Sequence, residues 1–119
     1  MRVLVVEPFA PARVEEIDNT LEAMQQVVGG LIEAIYPFED PVCLICNEEG
    51  KLQELLPNRL IIDPETGQIL DIIMGTFFIC GCPPDSENFE SLSDEQLEKY
   101  QLRYRSIDWV DLFLGLDLQ

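Results

Sequence analysis

The chain has 119 residues, with 23 Asp and Glu against 7 Lys and Arg and no His, so its formal net charge at pH 7 is −16. Seven basic residues cannot build a phosphate-neutralising surface, which excludes sequence-independent, direct nucleic-acid binding. The absence of His removes Ser-His and Cys-His nucleophile chemistry and His-ligated metals together. Apolar residues make up 47% of the chain, enough to fill the core of a single domain, so the charge does not signify a disordered acidic tail.

The first apolar run, residues 3–6, is β-branched and predicts a buried strand; it is too short and too soon ended by Glu7 and Pro8 to be the core of a signal peptide. Pro8 and Pro11 bracket a turn, after which residues 13–17 return as a more exposed strand. Asn19, with Glu22 three residues on, predicts a capping box opening a helix. Leu21, Met24 and Val28 fall on one face of that helix, and Gly29-Gly30 ends it with a left-handed cap. From Leu31 the apolar period shortens to two, predicting a strand over residues 31–38 that pairs antiparallel with a second over 42–46. Residues 47–50 form the next turn, and 51–56 read as either a helical turn or a loop stopped by Pro57.

Residues 60–62 and 69–73 predict two short strands about the turn at 63–67. Gly75, interrupting the apolar run before residues 76–80, predicts a bulge, a bend or the close approach of another backbone. Residues 81–86 are a loop by composition. Ser93 and Gln96 then make a capping box for a second helix, with Leu97, Tyr100 and Tyr104 along one face. Finally, Trp109, Leu112, Phe113 and Leu116 stand at i, i+3, i+4 and i+7, the pattern of an amphipathic C-terminal helix. No stretch approaches the ~20 apolar residues of a membrane span. The fold class expected is α+β: one small, mainly antiparallel domain over residues 1–106 with two helices, followed by an amphipathic tail at 107–119.

Four cysteines in two pairs, Cys43-x2-Cys46 and Cys80-x-Cys82, invite a zinc reading. A strand sends Cys43 and Cys46 to opposite faces, however, and Leu44-Ile45 replace the Gly-rich turn of a zinc knuckle. Buried, reduced thiols in a cytoplasmic chain are the reading adopted, with no metal and no cofactor. No P-loop, dinucleotide-binding, nucleophile-elbow or calcium-loop spacing occurs.

Two candidate sites remain. Asp85, Glu87, Glu90, Asp94, Glu95 and Glu98 place six acids within fourteen residues with no base among them. The bland account is a solvated helix face with acids favoured by the helix dipole; the functional one is an acidic surface that repeats the charge of a nucleic-acid backbone and engages a basic protein. Gly29, Gly30, Asn47, Glu48, Asn58 and Arg59 are either ordinary turn chemistry or the lining of a pocket for a small, nucleotide-like ligand at the loop end of the sheet.

The segments IDNTLEAMQQVVGGLIEAIYPFEDPVCLICNEEGKL, NR, GTFFICG and SENFESLSDEQLEKY closely resemble a family of small acidic proteins from phages and conjugative elements of Gram-positive gut bacteria, known only as a domain of unknown function. The resemblance spans roughly residues 1–105, and its most specific parts are Val28-Gly29-Gly30 with Glu33, the Asn47–Gly50 turn, Asn58 and Gly75. It implies no activity, but members look like neighbours of antirestriction genes, which implies an anti-defence role. The resulting expectation is a non-enzymatic, cytoplasmic accessory protein that binds and blocks a host factor through its acidic surface, the alternative being a small-ligand binder. The tail stripe must either fold back on its own domain or meet a second copy, and a homodimer through Trp109, Leu112, Phe113 and Leu116 is the expectation.

Overall fold

The computed structural model describes residues 1–106; the tail at 107–119, with its expected amphipathic helix, lies outside the described residues. The elements run β1 (Arg2–Val6), β2 (Arg13–Glu16), α1 (Leu21–Val28), β3 (Ile32–Ile35), β4 (Val42–Asn47), β5 (Pro57–Ile62), β6 (Ile69–Met74), β7 (Phe77–Gly81) and α2 (Asp94–Arg103). Five strands form one antiparallel sheet in the order β2-β1-β7-β4-β3, while β5 and β6 form a separate antiparallel pair. The chain is thus α+β, as its pattern of elements predicts.

The sheet is covered on both sides, and this explains why its central strands read as unbroken apolar runs rather than alternating ones. Val3, Val5, Cys43, Ile45, Phe78 and Cys80 face α1, meeting Met24 and Val28. Their neighbours Leu4, Val6, Leu44, Cys46, Phe77 and Ile79 face the other way, meeting Leu97, Tyr100 and Tyr104 from α2 and its C-cap, and Ile61 and Ile73 from the β5–β6 pair. At one edge β2 alternates between exposed and half-buried, and its Arg13, Glu15 and Glu16 supply the charge that discourages another strand from adding there.

α1 begins one residue later than its capping pattern predicts. Thr20, not Asn19, is the N-cap, its Oγ1 accepting from the Ala23 N–H at 3.1 Å, while the Asn19 amide donates to the Phe89 carbonyl at 2.8 Å. Both residues are good caps; the contact with a segment seventy residues away decides between them. The Gly29 end is as predicted, with φ of 79°. α2 also forms as its sequence predicts: Ser93 Oγ accepts from the Gln96 N–H at 3.1 Å, and Gln96 Oε1 accepts from the Ser93 N–H at 2.9 Å.

β5 starts at Pro57, three residues before the strand expected over 60–62, so Asn58 and Arg59 belong to a buried strand rather than to a turn or a pocket at the loop end of the sheet. Proline is tolerated as the first residue of a strand, where its missing N–H costs nothing. Gly75 has φ of 83°, the expected bend, and what closes on it is a side chain rather than another backbone: a Cβ there would lie 2.7 Å from Leu55 Cδ1.

Candidate functional site

The acidic segment is built in two parts. The loop after β7 is pinned by a reciprocal backbone pair, Gly81 N–H to the Glu90 carbonyl at 2.7 Å and Glu90 N–H to the Gly81 carbonyl at 2.9 Å. Arg2 then fastens the following residues: its N–H donates to Ser91 Oγ at 2.8 Å and its carbonyl accepts from the Leu92 N–H at 2.9 Å. Phe89 packs with the α1 side of the sheet and Leu92 with the α2 side, so this strap crosses the sheet end where β1 begins and β7 stops. It delivers the chain directly to Ser93 and α2. Asp85, Glu87 and Glu90 stand on the strap and Asp94, Glu95 and Glu98 on the helix, all six exposed.

The bases are placed so that they leave this segment negative. Arg13 holds Glu7 and Glu15, both at 2.7 Å, and Lys51 holds Asp71 at 2.5 Å. Lys99 holds Asp40 at 2.7 Å and Arg2 holds Asp94 at 3.0 Å. Of the six predicted acids, Asp94 alone has an ion-pair partner among the described residues. The carboxyl of Asp40 lies below the usual carboxylate range because Lys99 and then Tyr100 hydrogen-bond to its charged form. The Tyr100 hydroxyl, pushed up by burial and by that same carboxylate, stays a proton donor.

The six residues predicted to line a ligand pocket separate. Asn47 and Glu48 border a cleft of about 190 Å³, together with Glu33, Lys51 and Asp71. Gly29 and Gly30 do not line it. They lie behind Asn47, whose amide donates to the Val28 carbonyl at 3.2 Å while its Oδ1 accepts from the Glu49 N–H at 2.8 Å. A Cβ on Gly30 would come within 2.9 Å of the Asn47 amide nitrogen, so that glycine makes room for this tie. Asn58 and Arg59 do not line the cleft, although Arg59 is the register partner of Ile73, which does; both are fully buried. The Asn58 amide donates to the Val6 and Gly75 carbonyls, each at 2.8 Å. The Arg59 guanidinium bridges Asn58 Oδ1 at 2.9 Å, the Ala10 carbonyl at 2.5 Å and the Tyr104 carbonyl at 3.0 Å. It joins β5, the turn after β1 and the end of α2, a role for which the local sequence carries no signal, because an Arg beside an Asn reads as exposed turn chemistry.

Cys43 and Cys80 are register partners on β4 and β7, with their sulfurs 3.5 Å apart. Cys82 and the Tyr36 hydroxyl adjoin them. Cys46 points to the opposite face, its thiol 3.7 Å from the Glu33 carbonyl, as strand geometry predicts. Burial, with Glu33 and Asp71 nearby, pushes the Cys46 thiol up to about 11, and Cys43 and Cys82 are raised as well. These thiols are therefore poor nucleophiles at neutral pH. Among the described residues no group of three or more Cys, Asp or Glu is placed to hold a metal ion, and no helix is long and apolar enough to cross a membrane.

Fold and surface together define a small acidic α+β domain whose chemistry is that of presented carboxylates. The chain belongs to the DUF3846 family, described as a domain of unknown function, which matches residues 1–105. No curated protein and no solved structure matches it.

Proposed function

We propose that this is a non-enzymatic accessory protein of a mobile genetic element, acting in the cytoplasm, whose strap and α2 carboxylates bind a basic surface of a host factor and block it in the manner of an anti-defence protein. The observation that supports this reading is the pairing pattern: four bases are committed to carboxylates, mostly elsewhere on the domain, while Asp85, Glu87, Glu90, Glu95 and Glu98 have no ion-pair partner among the described residues. Phage or conjugative-element origin and an anti-defence target rest on the family resemblance. Unpaired, solvated carboxylates in series attract a basic partner over a distance of about a Debye length, ~8 Å at physiological ionic strength. Capture of host proteins on the immobilised chain at about 50 mM and about 500 mM salt is the test, since binding of this kind weakens steeply with added salt. A partner retained equally at both salts overturns it.

A second reading is a small ligand in the cleft beside Asn47 and Glu48. Glu33, Glu48 and Asp71 surround a single cation, Lys51, which is already held by Asp71. Such a site favours a neutral or cationic ligand over a phosphorylated one. Binding there would depend far less on salt, which separates the two readings.

A further inference from the structure

The β5–β6 pair leaves one side of β6 without a strand partner among the described residues. At the edge of the larger sheet β2 carries Arg13, Glu15 and Glu16, a defence against added strands, whereas β6 reads Ile-Leu-Asp-Ile-Ile-Met. The charge of Asp71 on that strand is matched by Lys51 at 2.5 Å. Leu70 is 58% exposed and Ile72 38%. An apolar strand with an undefended edge is a template for another strand.

Residues 71–74 of β6 form one wall of the cleft beside Asn47 and Glu48, whose lining also includes Glu33 and Ile35 from β3 and Cys46 from β4. Successive side chains of a strand point to opposite faces, so a wall made of four residues in a row presents the strand's main-chain edge. The cleft's volume of about 190 Å³ lies below the ~300–1,000 Å³ of sites that enclose a small molecule. It suits side chains from a segment that continues along the strand.

We propose that residues 71–74 of β6 accept, as an added strand, an extended segment of a partner protein in which Lys or Arg alternates with Val, Ile or Leu. Charge selects this occupant. Glu33, Glu48 and Asp71 line the cleft against Lys51 alone, so an incoming cation meets a negative field. Cys46 feels the same field, its thiol raised by burial and then by Glu33 and Asp71. Alternation follows from β6 itself, because Asp71 and Ile72 face opposite ways: the bases pair across the strands with Asp71, the apolar residues with Ile72. A second copy of this chain is opposed by its net charge of −16. The edge shares no residue with the strap and α2 carboxylates, so it stands or falls apart from the function proposed above.

The probe is the synthetic peptide Lys-Val-Lys-Val-Lys-Val, blocked at both ends and titrated calorimetrically into the full chain. Saturable binding is expected, with slowed amide hydrogen exchange within residues 71–74. N-methylating every Lys, or every Val, removes the N–H groups along one edge of the peptide without changing its charge and without touching the protein. One pattern should weaken binding about tenfold or more and the other should not, because an added strand bonds through one edge. Ile72→Lys gives β6 the charge that defends an edge and should lower affinity about tenfold or more, with the circular dichroism spectrum unchanged. The combined Glu87→Gln, Glu90→Gln and Glu98→Gln variant should bind within about twofold of the native chain, since its changes lie off the cleft. Four results overturn the proposal: no saturable binding at about 1 mM peptide; two N-methylated peptides that bind alike; affinity lost in the triple Gln variant but kept in Ile72→Lys; or a native chain already dimeric through this edge, the dimer lost in Ile72→Lys.

Discussion

The Tyr100 hydroxyl donates to Asp40 Oδ2 at 2.7 Å, tying α2 to the turn between β3 and β4 across sixty residues of sequence. Lys99 donates to the same oxygen at 2.7 Å, so consecutive residues of α2 grip one carboxylate. Tyr100 stacks obliquely on Phe38 as well, with ring centroids 4.8 Å apart. This anchor orients the helix that carries Asp94, Glu95 and Glu98 outward.

The anchor has a pH signature. The Asp40 carboxyl is held below its unfolded value, so its contribution to stability is present above the unfolded pKa and is lost as pH falls through the folded one. Asp40→Asn is expected to lower stability at pH 7 by about 1 kcal/mol, because Lys99 and Tyr100 lose a charged acceptor that is itself partly solvated. The difference from the wild type begins to shrink as pH falls below about 4, the unfolded carboxyl's value, and closes only once pH has passed the lower folded one. Urea unfolding of both proteins at pH 7 and pH 3 checks this; a gap of the same size at both pH values contradicts it.

Arg59→Ala removes the bridge between the Ala10 and Tyr104 carbonyls and Asn58 Oδ1. Buried acceptors left without a donor each cost about 1–3 kcal/mol, so a loss of roughly 3 kcal/mol is expected. Arg59→Lys supplies a point charge in place of a planar fork and recovers only part of it. Denaturant midpoints of the three proteins would rank them wild type, Lys, Ala, and a Lys variant equal to wild type would show that the fork geometry is immaterial.

On the acidic segment, Glu87→Gln, Glu90→Gln and Glu98→Gln together change three exposed residues. Stability should move by no more than about 0.5 kcal/mol per site. Affinity for the basic partner should fall about tenfold or more, at roughly 0.5–1 kcal/mol per lost charge, and its salt dependence should flatten. Calorimetric titration at two salt concentrations reads both, and an unchanged affinity in the folded triple variant moves the interface elsewhere.

The thiols should react in the order of their exposure. Cys82 is half-buried while Cys43, Cys46 and Cys80 are buried, so a chromogenic disulfide reagent at pH 8 should modify one thiol of the native protein slowly and the other three only on unfolding. Cys82→Ser removes the native reaction. Rapid modification of all four would contradict the burial seen in the core.

Features whose cause is local were legible in the residues themselves. Ser93 and Gln96 specify the start of α2, and Gly29 the end of α1, because each satisfies backbone groups a few residues away. The β3–β4 and β5–β6 pairs join neighbours through short turns, so alternation and turn residues suffice to predict them. The opposite orientation of Cys43 and Cys46 follows from strand geometry alone. Tertiary structure decided what depends on distant partners: that β7 lies between β1 and β4, that Asn19 serves Phe89 while Thr20 caps the helix, and that Arg59 turns inward to three carbonyls. It also divided the expected pocket, since Asn47 and Glu48 border a cleft that Asn58 and Arg59, buried on the strand behind its β6 wall, do not line. A buried polar group is placed by whichever acceptors the rest of the chain leaves unsatisfied, and those acceptors exist only once the strands have paired.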